Sequence, residues 1–183
     1  DTLREEIGPW LAAGESRVVL AGMIGSRQGW VEAPYLPLPA GAAELGAALV
    51  DVPFDWAQVK LVPGLSGEDE AGVAEVMRGE ETQIIGVPVL TTSGGLACLP
   101  GTHSKWARVA DGRIIGFTTH LTGEAFAALR GHTILGRLME DGPSDGSGFT
   151  TGLRRSGDPG GLLHHVFGAR AEVLAGHLAP TEA

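Results

Sequence analysis

Between Gly95 and Leu121 the chain carries three strand-like runs, Gly95–Leu99, 105–110 and Arg113–Leu121, each bounded by turn-forming residues. Asp111 and Gly112 stand alone between the last two. An Asp-Gly pair joining apolar runs is a strong short-range hairpin signal, because the type I′ turn that matches strand twist takes positive φ at both positions, which Asp and Gly tolerate. Any fold for this chain must therefore seat a β-hairpin near its centre.

The flanking segments mix helices and strands. Residues 1–13 space Leu3, Ile7, Trp10 and Leu11 at helical intervals, with Gly14 as a stop. Residues 17–21 (RVVLA) read as a buried strand that ends in a loop at Gly22 and Gly25. Pro34, Pro37 and Pro39 keep 33–40 extended, 43–50 gives a weak helix and 58–62 a strand. A helix is expected between 73 and 85, with Val76, Met77, Ile84 and Ile85 as apolar contacts and Gly79 interrupting it. Past the hairpin, Thr122 as N-cap and Glu124 in the first turn announce a helix through Leu129. Residues 133–139 and 162–178 read as helices, and the polar, Gly-rich 141–161 as a flexible loop. A composition break at 87–95 (VPVLTTSGG) marks the expected domain junction.

Length and charge narrow the function classes. At 183 residues there is room for one large domain or two small ones. Lys and Arg number 13 against 22 Asp and Glu, a net charge of −9, so no basic surface is expected to track nucleic acid, although a local anion site is compatible. The apolar runs are too short for a membrane span. The lone Cys98 cannot form an internal disulfide and is expected as a small buried hydrophobe; no signal-like segment opens the chain. Both features favour a reducing, cytoplasmic setting.

Three clusters could carry chemistry. The first is Gly22–Trp30 (GMIGSRQGW), where a strand delivers Ser26, a guanidinium at Arg27, an amide at Gln28 and an indole at Trp30 into one loop. Arg27 could hold a carboxylate bidentately, Gln28 could bond hydroxyls, and Trp30 could cover an apolar sugar face. The bland alternative has Arg27 paired with a local acid and Trp30 packed inward. The second is Arg78–Gln83 (RGEETQ): Glu80, or its neighbour Glu81, could take a proton from an attacking hydroxyl, or both could be ordinary surface acids. The third is Leu99–Trp106 (LPGTHSKW). Gly101, Thr102, His103, Ser104 and Lys105 there could form a phosphate loop, or the segment could be a plain turn with Trp106 buried and Lys105 solvated. It does not match the Walker pattern. His164 and His165 are adjacent and splay apart on a helix, so no zinc site is expected, and no metal ligands are assigned.

Taken together, GMIGSRQGW, VPGL, MRGEETQIIG, LPGTHSKW and LTGEAFAALRGHTILGR occur in an order that resembles the 2-dehydro-3-deoxygalactonokinase family of actin-like sugar-acid kinases, from about Trp10 to about Leu178. The resemblance implies an α/β fold of the actin-like (ribonuclease H-like) ATPase type, with parts of two domains around a cleft. Residues 1–87 would hold the sugar-acid pocket and base, and 88–183 a phosphate-binding hairpin and helices. It implies ATP-dependent phosphorylation of 2-dehydro-3-deoxy-D-galactonate at its C6 hydroxyl, with ATP and Mg²⁺ as cofactors.

The resemblance also distributes roles. Glu80 would be the base, with Glu81 the second choice. Ser26, Arg27, Gln28 and Trp30 would line the sugar-acid pocket, and Gly101, Thr102, His103, Ser104 and Lys105 would meet phosphates. Its partners would be the sugar acid and a nucleotide, without nucleic acid or membrane, and a homodimer is allowed. The sequence departs from the family pattern in lacking an Asp-Gly-Thr hairpin before Trp10 and a C-terminal glycine-rich adenosine element. The expectation is thus the middle of a kinase, inactive by itself.

Two other classes compete. One is a non-catalytic carbohydrate- or anion-binding module on the same fold. The other is a Ser/His hydrolase through Ser26 or Ser104, disfavoured because no GxSxG elbow is present.

Overall fold

A computed structural model describes residues 2–183; residue 1, where the expected first helix begins, lies outside the described residues. Two compact units divide the chain, Asp1–His120 and Leu121–Ala183.

The first unit is built from short strands around two apolar cores. Leu3 and Ile7 fall on one side of helix α1 (Thr2–Ala12), which Gly14 ends with φ at 94°. The chain continues through strands β1 (Arg17–Leu20), β2 (Tyr35–Pro37) and β3 (Ala40–Gly41), helix α2 (Ala42–Ala47), and strands β4 (Val50–Val52), β5 (Gln58–Leu61), β6 (Gly64–Glu68) and β7 (Ala74–Met77). Helices α3 (Glu80–Ile85) and α4 (Pro88–Ser93) then lead into β8 (Gly95–Leu99), β9 (His103–Ala110) and β10 (Arg113–Leu121). The strands form three sheets, ordered β1-β5-β4, β2-β6-β7 and β3-β10-β9-β8. β1 runs parallel to β5 and β2 parallel to β6, while β4, β7 and β8 pair antiparallel with β5, β6 and β9.

The hairpin is the expected one. Asp111 and Gly112 take φ of 50° and 72°, the two positive values that a right-handed strand pair needs at its turn. β9 alternates as a half-buried strand should: Ser104, Lys105, Ala107 and Val109 are buried, while His103, Trp106 and Arg108 are exposed.

Ala107, Val109, Ile114 and Phe117 share one core with Leu65, Met77 and Ile84. The hairpin and the strand leading to α3 therefore share a core within the compact unit that ends at His120. A second core joins Ala33, Val52, Val59 and Leu61, with Val18 and Leu20 packed against it.

Three expectations for this unit are corrected. The helix expected over 73–85 is a strand followed by a shorter helix. Val76 and Met77 sit in β7, opposite Ser66 and Leu65 of β6, and only Glu80–Ile85 is helical. Tertiary pairing overrides a spacing that suits either period. β1 is an edge strand and not fully buried, with Val19 63% exposed. Cys98 is exposed on β8, the edge of its sheet.

The second unit is helical: α5 (Gly123–His132), a 3₁₀ turn (Leu135–Leu138), α6 (Ser147–Arg155), α7 (Leu162–Leu174) and a last 3₁₀ turn (Pro180–Glu182). The helix expected at 133–139 is only that one tight turn, and α6 lies inside the stretch expected to be a flexible loop. One local and two long-range bonds explain the start of α6: Asp145 Oδ1 accepts from Ser147 N at 2.8 Å, and Glu182 accepts from Asp145 N at 2.8 Å and Gly148 N at 2.9 Å. These backbone bonds, first among them that from Gly148, hold the Glu182 carboxyl below its ordinary range. No helix among the described residues is long and apolar enough to cross a membrane.

Candidate functional site

The loop after β1 is folded on its own backbone. Gly25 N donates to Gly22 O at 3.0 Å, Gly29 N to Ser26 O at 2.8 Å, Trp30 N to Ile24 O at 2.8 Å and Ala33 N to Gly25 O at 3.0 Å. These bonds sink Gly25 and Ser26 and leave Arg27, Gln28 and Trp30 at the surface. Ser26 is thus 8% exposed. The Arg27 side chain is 83% exposed, with Nε 3.5 Å from Glu32 Oε1, an exposed pair that binds its partner weakly. Trp30 is half exposed and meets Phe54 edge-on at 6.2 Å, so both readings of this indole hold in part.

The loop lies against the start of α3. Gly79 has φ of 109°, and a Cβ there would stand 3.1 Å from the Gly22 Cα, so only glycine lets the two backbones meet. On the other side of Gly79 the two acids part company. Glu80 is half-buried, and its Oε2 accepts from Arg78 N at 3.0 Å. Glu81 is fully buried, with Oε2 accepting from Gly79 N at 2.7 Å and Oε1 from the Thr82 hydroxyl at 3.1 Å. Burial pushes the Glu81 carboxyl above its ordinary value, more than those bonds draw it down. Of the two, Glu80 has the accessible carboxylate.

In the turn before β9, Gly101 and Thr102 are exposed, Gly101 N donates to Ser104 Oγ at 3.3 Å, and a Cβ on Gly101 would meet nothing closer than 3.9 Å. His103 is exposed and Ser104 buried. Lys105 is corrected in one of its expected settings, since it is not a solvated side chain. It is 5% exposed, and Nζ donates to Val76 O at 2.7 Å and Thr119 Oγ1 at 2.8 Å. Trp106, by the same alternation, points outward. Strand period explains both, since Lys105 shares a face with Ala107 and Val109.

Sequence reasoning singled out the acids beside Arg78 but not Arg78 itself, which is 9% exposed and donates through Nη2 to Ala33 O at 2.8 Å. Its position between an apolar strand residue and the α3 glycine was the available signal. A cavity of about 1100 Å³ lies in the second unit, lined by Phe126, Leu135, Phe149 and Val166 among others, and none of the predicted site residues lines it. The predicted site residues all lie in the first unit. No group of three or more His, Cys, Asp or Glu that could hold a metal ion occurs among the described residues.

Comparison with known proteins bears on this arrangement. A family model described as 2-keto-3-deoxy-galactonokinase matches residues 1–183. A protein of Rhizobium meliloti named "Probable 2-dehydro-3-deoxygalactonokinase" is 37% identical over 171 residues, 91% of this chain and 56% of that protein. The 2-dehydro-3-deoxygalactonokinase of Escherichia coli is 38% identical over 163 residues, 88% of this chain and 53% of its own. A crystal structure from Sinorhizobium meliloti, described as a candidate 2-dehydro-3-deoxygalactonokinase, superposes with a TM-score of 0.88 at 34% identity, covering 99% of this chain and 62% of that one. The chain thus spans little more than half the length of the curated relatives it matches.

Proposed function

Because the chain belongs to the 2-keto-3-deoxy-galactonokinase family, we propose that it carries the sugar-acid and proton-accepting side of an ATP-dependent kinase acting on the C6 hydroxyl of 2-dehydro-3-deoxy-D-galactonate, in a cytoplasmic setting. The observation that carries the reading is the meeting of the Gly22–Trp30 loop with the α3 start at Gly22 and Gly79. That meeting puts an exposed cation on the same local scaffold as an accessible carboxylate.

Arg27 and Gln28 take the carboxylate and hydroxyls of the sugar acid, and Trp30 covers its apolar face. Glu80 accepts the proton of the attacking C6 hydroxyl as the oxygen bonds to the γ-phosphorus and the bond to the ADP oxygen breaks. Phosphates are met by backbone and hydroxyl groups of Gly101, Thr102 and His103, with Ser104 supporting the turn from below. Lys105 acts beneath this turn and not on phosphate. On this reading 1–87 and 88–183 are the functional halves. In kinases Mg²⁺ neutralises charge on the phosphates; among the described residues no group of three or more His, Cys, Asp or Glu gathers as a metal site, and no step here runs through the ion.

A coupled ADP-release assay on the full-length protein with ATP and 2-dehydro-3-deoxy-D-galactonate tests the reading. Turnover that needs both substrates is expected. Sugar-acid binding without any turnover would instead favour a non-catalytic anion-binding module.

A further inference from the structure

Arg78 is a buried cation that the chemistry above leaves unused. Its guanidinium reaches away from α3 and under the loop, donating through Nη2 to Ala33 O at 2.8 Å and lying 4.4 Å from the centroid of the Tyr35 ring. A Cβ on Gly25 would come within 3.2 Å of Nη1. Gly25 and Ala33 are themselves joined, Ala33 N to Gly25 O at 3.0 Å, so the guanidinium sits beneath the bond that closes the loop. At the other end of the residue, Arg78 N donates to Glu80 Oε2. Nε and Nη1 are buried with no partner among the described residues. A buried cation with two idle donors is costly, and an apolar residue of similar length would pack there more cheaply. Stability alone does not explain an arginine at this place.

We propose that Arg78 is a positioning residue that locks the Gly22–Ala33 loop in register with Glu80, so that sugar-acid affinity depends on a side chain that never touches the sugar. The inference rests on the kinase reading for its consequence but not for its geometry. The bond to Ala33 and the ring of Tyr35 fix the loop's closing end, and the backbone bond fixes the carboxylate, both through one residue.

Two variants and two readouts test it. In Arg78→Met, amide hydrogen exchange at Gly29, Trp30 and Ala33 should quicken at least tenfold while β5 and β9 amides stay within twofold. In the full-length protein the KM for the sugar acid should rise at least tenfold with the KM for ATP unchanged. Arg78→Lys can still donate to Ala33 O but has no nitrogen at the Nε and Nη1 positions, and should recover most of the protection and affinity. Unchanged loop exchange in Arg78→Met overturns the proposal. So does a folded Arg78→Lys as impaired as Arg78→Met, because the idle donors would then have a ligand of their own. If Arg78→Met does not fold, Gly25→Ala replaces it: a methyl there crowds Nη1 and Leu61 and should give the same loop-selective loss, and loss spread evenly over the unit would refute the lock. A wild-type protein without turnover overturns the kinase reading and leaves the exchange result to decide this one.

Discussion

Lys105 Nζ donates to the Val76 carbonyl at 2.7 Å, a bond that fastens the hairpin to the strand leading into Glu80. Thr119 completes the join: its hydroxyl oxygen accepts a second hydrogen bond from Lys105 Nζ, and its backbone N–H donates to Glu75 Oε1 at 3.1 Å. The turn that ends at Ser104 and the acids that begin at Glu80 are thus held through one buried ammonium.

Lys105→Met should cost about 1–3 kcal/mol, because the Val76 carbonyl and Thr119 hydroxyl lose a charged donor inside the protein. The urea midpoint should fall with no change in slope. A variant as stable as wild type but weaker for nucleotide would return Lys105 to the phosphate site.

Glu81 makes a pH prediction. Its carboxyl is pushed up by burial, so the folded state holds a proton that the unfolded chain releases near the ordinary carboxylate value of 4.5. From that value upward the native state binds more protons than the unfolded one, and stability falls as pH rises until the folded group has itself ionised. Glu81→Gln removes the charge and can still accept from Gly79 N. It should flatten that slope and match or exceed wild-type stability at pH 8, read from urea midpoints at pH 5 and pH 8. A variant much less stable than wild type at pH 8 would mean that the charged form is the one the fold needs.

The hairpin was legible because Asp111-Gly112 permits few other conformations, and the order of motifs was legible because each has its own residue types. β7 was not, since Val73, Val76 and Met77 fit a helical stripe as well as a strand, and only pairing with Leu65 and Ser66 decides between them. α6 escaped notice because its capping partner, Glu182, lies far along the chain. Lys105 could have been read inward from its alternation with Ala107 and Val109. The role of Arg78 could not, because its contacts at Ala33 and Tyr35 are long-range.

Gly79→Ala should destabilise by about 1–3 kcal/mol, since φ of 109° is strained for any side chain and the new methyl would press on Gly22. Gly46→Ala is the control: it lies in α2 with nothing within 4 Å of the added methyl, and should be neutral or stabilising by about 0.5–1 kcal/mol. Equal thermal midpoints for the two variants would remove the close approach from the argument.

Arg27→Ala should leave the thermal midpoint where it is, because the side chain is solvated and its pairing with Glu32 is loose. The sugar-acid KM should rise about 10- to 100-fold, the loss of a charge-assisted hydrogen bond of about 1.5–3 kcal/mol. An unchanged KM takes Arg27 out of the pocket.

Glu80→Gln decides the base. The amide oxygen can still accept from Arg78 N, so the α3 start should stay in place and sugar-acid affinity should change little. What the amide cannot do is take a proton from the C6 hydroxyl, and a positioned general base is worth about 10²–10⁴-fold. We therefore expect kcat to fall by two orders of magnitude or more with KM nearly constant, the pattern of a group that acts only in the transition state. Glu81→Gln, by contrast, should keep most of its kcat, because that carboxyl is enclosed by Gly79 and Thr82. If the two variants exchange these behaviours, Glu81 is the base, and α3 must turn or unwind during turnover to bring it out.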